Sequence, residues 1–81
     1  MRPVEPPFEI VFLNTRVKVS EHELGERRVF HVELKAPLRP LVITVGLDKK
    51  QKKFWTSVPE GRQAEAEQVG KLIAQYIRNK N

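Results

Sequence analysis

The chain has 81 residues, 40% of them hydrophobic and 31% charged, and a formal net charge of +5. This length closes one core and leaves too few apolar side chains for a second, and the composition is that of a chain that folds. There is no cysteine, which excludes a disulfide framework, a thiol nucleophile and a cysteine zinc site, and fits a cytoplasmic location.

The opening MRPVEPP contains three prolines. Each fixes its own φ and biases the preceding residue away from helix, so residues 1–7 are expected to form an extended arm ahead of one domain over 8–81. The arm has no apolar stretch of the kind a secretory signal needs. The longest mostly apolar run, FEIVFL (8–13), is far too short to span a membrane, and no membrane partner is expected.

FEIVFL is rich in β-branched and aromatic residues and predicts the first strand. Asn14 and Thr15 offer a turn. RVKVS (16–20) then alternates, with Val17 and Val19 on one face and Arg16 and Lys18 on the other. EHELGE (21–26) reads as a polar loop turning at Gly25. RRVFHVELK (27–35) is the third strand, with Phe30, Val32 and Leu34 on one face and Val29, His31 and Glu33 on the other. Pro37 and Pro40 end it. LVITVGL (41–47) and KKFWTSV (52–58) flank a turn in DKKQ (48–51), and together they predict a hairpin.

The rest predicts helix. Ser57 and Glu60 have the spacing of a capping box, with Pro59 inside the first turn, although Gly61 argues for a start nearer Arg62. Ala66, Val69, Ile73, Tyr76 and Ile77 fall on one stripe, and Glu67, Lys71, Gln75 and Arg78 lie opposite. Gly70, at the edge of the stripe, is expected to let the helix backbone approach the sheet closely. The predicted fold is α+β: an antiparallel meander of four to five strands followed by one C-terminal helix packed on one face.

One helix covers one face of such a sheet. Yet FEIVFL and LVITVGL are apolar on both faces, and alternation sends Phe54 and Trp55 to opposite sides. The surplus is expected to enter a curled sheet or to meet a second copy of the chain, and a homodimer is the expectation.

Chemistry for catalysis is sparse. The chain has one aspartate (Asp48), two serines, and four glycines that stand alone rather than in a phosphate-binding loop. A chain this short has little volume for a pocket, so neither an enzyme nor a small-molecule substrate is expected. The triplet Glu21-His22-Glu23 and the pair His31 and Glu33 are too few for a zinc site, and no metal or cofactor is predicted.

Binding remains. Residues 41–81 hold eight Lys/Arg against four acidic residues, and half of those cations are Lys49, Lys50, Lys52 and Lys53. If the helix covers Val17, Val19, Phe30, Val32 and Leu34, the opposite face presents Arg16, Lys18, Arg27, His31 and Lys35. Lys53 and Trp55 join them if the odd positions of the last strand point that way. Cations interleaved with an aromatic ring on an open sheet are the ingredients of single-strand nucleic-acid binding. The candidate set is therefore Arg16, Lys18, His31, Lys49, Lys50, Lys52, Lys53 and Trp55. The plainer alternative places Trp55 in the core and leaves the lysines as a solvated hairpin tip.

Over Arg16 to Arg78, this order of antiparallel strands followed by one long helix resembles the small single-strand nucleic-acid-binding folds of the Whirly and PUR type, which often dimerise. The resemblance is one of layout, without a shared motif. The leading expectation is a non-enzymatic protein that binds single-stranded nucleic acid. The alternative is a protein-interaction or homodimeric assembly module.

Overall fold

The computed structural model describes residues 3–80. Its elements are β1 (Phe8–Phe12), β2 (Thr15–Leu24), β3 (Arg27–Val32), β4 (Leu41–Leu47), β5 (Lys53–Ser57) and α1 (Gln63–Lys80). The strands form one antiparallel sheet in chain order, β1-β2-β3-β4-β5. The sheet is curled and α1 packs across its inner face, the α+β meander that the sequence predicts.

In β1, Phe8, Ile10 and Phe12 are buried while Glu9 and Val11 are exposed, as strict alternation requires. Phe12 pairs with Thr15, so the turn is Leu13-Asn14, one residue earlier than the sequence suggests. Both turn residues have positive φ, 53° and 63°. That geometry matches the twist of the flanking strands; asparagine tolerates it readily and leucine does so rarely.

The largest departure from expectation is EHELGE. Rather than looping, it extends β2 as far as Leu24, and the hairpin turns at Gly25 (φ 64°). The cause is Glu21, whose carboxylate lies on the inner face opposite Phe30. It accepts hydrogen bonds from the Glu5 backbone N–H (2.8 Å) and from Arg28 Nη1 (3.3 Å). A strand with polar residues facing inward is stable when those residues are paired.

The same cluster ties down the proline-rich arm. Arg28 Nη1 donates to the Pro3 carbonyl at 3.3 Å, and Lys80 Nζ lies 2.6 Å from the Glu5 carboxylate. Residues 3–7 have no regular structure of their own but are fastened to the sheet and to the end of α1. Residues 1 and 2 of the expected arm, and residue 81, lie outside the described residues.

The capping box does not form. Ser57 ends β5, its Oγ donating to the Pro59 carbonyl (2.9 Å) and accepting from the Arg62 backbone N–H (3.0 Å). Ser57 thus shapes the connection, and Pro59 and Glu60 belong to that connection and not to the helix. Gly61 adopts φ 128°, outside the helical range, so α1 begins beyond it. Arg62 then fastens the helix start. Its guanidinium donates to the carbonyls of Pro40 (2.7 Å) and Arg39 (3.0 Å) and forms two bonds to Glu65, at 2.9 and 2.8 Å.

Val19, Val32, Leu41 and Ile43 of the sheet meet Ala66, Val69 and Ile73 of α1 at the centre of the core. Tyr76 stacks on Phe8 with ring centroids 4.0 Å apart, closing the core toward β1. Gly70 performs the expected role. A side chain there would overlap the Trp55 indole, which rests against the bare helix backbone.

Candidate functional site

Among the described residues, no helix or strand covers the outer face of the sheet. Alternation places Arg16, Lys18 and His22 of β2 there, with Arg27 and His31 of β3, all exposed. Ser20 pairs with His31 and His22 pairs with Val29. The two imidazoles are thus diagonal neighbours, 4.7 Å between centroids and edge to face. The cations follow β2 from Arg16, beside the β1–β2 turn, to Arg27, which pairs with Leu24 at its far end. A ten-residue strand makes that row about 30 Å long.

Two carboxylates border the row. Glu9 lies 3.9 Å from Arg16, and alternation past buried Val32 puts Glu33 on the same face. Lys18 makes no ion pair among the described residues. In the middle of the face Val29 and Thr44 are buried, with no helix or strand among the described residues over them. They pair with each other across β3 and β4, and the Thr44 hydroxyl donates to the Arg28 carbonyl at 2.6 Å.

Lys49, Lys50 and Lys52 lie in the β4–β5 turn, all exposed. Asp48 builds that turn, its carboxylate accepting from the backbone N–H groups of Lys50 (2.8 Å) and Lys52 (2.9 Å). Because β3 and β4 run antiparallel, this turn lies at the same end of the sheet as Arg27. Three of the predicted residues (Arg16, Lys18 and His31) share the open face, and three lysines extend its basic character past one end.

Trp55 and Lys53 are placed otherwise. Trp55 pairs with Val45, on the same face as buried Ile43, and its indole meets Phe30 edge to face at 5.7 Å. The odd positions of β5 thus point toward α1. This corrects the assignment of Trp55 and Lys53 to the open face: the indole fits where Gly70 leaves room for it, and on the inner face no other site of that size is cut into the helix. The aromatic ring on the open face is Phe54, 39% exposed. It pairs with Gly46 and its ring lies across that glycine, where a Cβ would come within 3.1 Å of Cζ. Gly46, a lone glycine in an apolar strand, is the sequence signal that marks this position.

A cleft opens on the inner face between β3, β4 and β5 and the C-terminal half of α1. Arg28, Phe30, Val45, Trp55, Ala74, Ile77 and Arg78 line about 460 Å³. Arg28 is held there by Glu21 at 3.3 Å and Glu23 at 3.7 Å. Alternation therefore splits the Glu21-His22-Glu23 triplet, the carboxylates going inward and the imidazole outward. Among the described residues no three His, Asp or Glu side chains gather as metal ligands, and no helix is long and apolar enough to cross a membrane.

No protein-family model matches the chain, and no curated protein or solved structure matches it.

Proposed function

We propose that the chain is a non-enzymatic binding protein that takes up single-stranded nucleic acid along the open face of its sheet, in the cytoplasm. The observation that carries this reading is the confinement of α1 to one face, which leaves Arg16, Lys18, His22, Arg27, His31 and Phe54 together on the other. Arg16, Lys18, Arg27 and the lysines of the β4–β5 turn neutralise phosphates, and the release of counterions supplies most of the affinity. Phe54 and the two imidazoles offer ring faces to unpaired bases, which any base can use. A single strand suits this surface because its bases splay out, whereas a duplex hides them.

The test is fluorescence anisotropy of a labelled oligothymidine at about 50 and 200 mM salt. Six phosphate contacts, one for each of these cations, give a slope of log affinity against log salt of about −4. Lys18→Glu weakens binding, and Phe54→Ala lowers affinity by about 1–3 kcal/mol, the stacking contribution of one base. An anisotropy that stays flat at the lower salt concentration overturns the reading.

A second reading rests on β1. It is an edge strand paired only with β2, and Val11 (60% exposed) and Leu13 (65%) stand on and beside it. An open apolar edge is a template for pairing with another strand, here β1 of a second copy. Light scattering over a range of concentrations decides between this homodimer and a monomer of 9.4 kDa.

A further inference from the structure

The inner-face cleft lies on the opposite side of the sheet from the proposed nucleic-acid interface and is independent of it. Its walls are Phe30, Val45, Trp55, Ala74 and Ile77, of which only Phe30 is fully buried. The others keep part of their apolar surface in water, and a guest of matching shape would dry that surface. The volume, about 460 Å³, lies within the range that holds small organic molecules.

The charges at the rim are all of one sign. Arg28 and Arg78 line the cleft and no carboxylate does. Their situations differ. Arg28 is engaged by Glu21, Glu23 and the Pro3 carbonyl, so its charge is largely balanced. Arg78, exposed in the last turn of α1, forms no ion pair among the described residues. Its planar guanidinium is shaped for bidentate contact with a carboxylate. An apolar trough that ends at one uncommitted guanidinium is complementary to a molecule with an apolar body and a single acidic head.

We propose that this cleft is a binding site for a small hydrophobic carboxylate, its hydrocarbon body against Trp55 and Ile77 and its carboxylate on Arg78. Trp55, the one tryptophan in the chain, is a built-in reporter of occupancy. The probes are decanoate, which is optically silent where indole emits, and decanol, which shares the chain and lacks the charge. Decanoate shifts the Trp55 emission saturably, and decanol does so more weakly. Arg78→Gln, at an exposed position, weakens decanoate by about tenfold, one charge-assisted hydrogen bond's worth, and leaves decanol unchanged. Ala74→Phe, verified as folded by circular dichroism, fills the trough without adding a second indole and removes both responses. The proposal is overturned by an emission that does not respond to decanoate at millimolar concentration. An Arg78→Gln variant that binds decanoate as tightly as the parent overturns it too.

Discussion

The two faces of the sheet are made from the same strands and do opposite work. On the inner face, Val19, Val32, Leu41 and Ile43 are sealed beneath Ala66, Val69 and Ile73 of α1. On the outer face, one residue away along each strand, stand Lys18, His31, Val42 and Arg16, with no helix or strand among the described residues over them. A pleat of period two lets one strand serve a dry core and a wet surface together. Most of the buried apolar surface lies on the inner side, while the outer side buries Val29 and Thr44 and otherwise carries the exposed cations.

The sharpest way to break that contrast is to cut into the sealed side. Ile73 is completely buried at the middle of the helix stripe. Ile73→Ala removes its apolar surface and leaves a hole that rigid neighbours refill only in part, with an expected loss of about 2–5 kcal/mol. Urea denaturation followed by Trp55 fluorescence measures it as a lower midpoint at unchanged slope. A loss below about 1 kcal/mol would mean that the helix is not the lid of this core.

Most of this two-sidedness was legible from the residues alone. Alternation in RVKVS and RRVFHV assigns Val17, Val19, Phe30 and Val32 to one side, and the 3.6-residue stripe from Ala66 to Ile77 supplies their partner. Two features were not legible, for reasons that are tertiary. EHELGE looks like a loop because nothing local reveals that Glu21 will meet Arg28, seven residues away across a hairpin. The direction of Trp55 depends on Gly70, fifteen positions further along, leaving a gap of the right size. Ser57 shows the reverse failure: the local pattern of a capping box was present, but Gly61 and the contacts of Arg62 with Arg39 and Pro40 moved the helix start downstream. The cleft, too, is tertiary: its lining comes from three strands and the helix, which no local pattern brings together.

A milder perturbation tests how the covered side is fastened. The Arg62 guanidinium, through its hydrogen bonds first and its charge second, holds the Glu65 carboxyl below its ordinary value. A carboxylate with a lowered pKa in the folded state stabilises the fold above the ordinary carboxylate range. That contribution is lost as the pH falls through the lowered value. Glu65→Gln is expected to melt earlier at neutral pH, by about 0.5–1 kcal/mol for a partly solvated bidentate pair. The gap to the parent narrows on acidification. Melting curves at neutral and strongly acid pH check the sign, and a gap that widens toward acid would show that the pair does not pin the helix start.

The smallest effect on stability is expected on the open face, and it is the most informative about function. Lys18 is exposed, lies mid-row between Arg16 and His31, and makes no ion pair among the described residues. Lys18→Ala should change stability by no more than about 0.5 kcal/mol. If the face grips a phosphate backbone, the same change reduces the salt slope of oligothymidine binding by about 0.7, one counterion's share on a single strand. The two measurements separate causes that affinity alone confuses. A lower affinity with both slope and stability unchanged would come from a shifted surface and not from a lost phosphate contact. A lower midpoint in urea would mean that the outer face contributes to the fold after all. An unchanged midpoint with a shallower salt slope is what a sheet with one face for folding and one for contact must show.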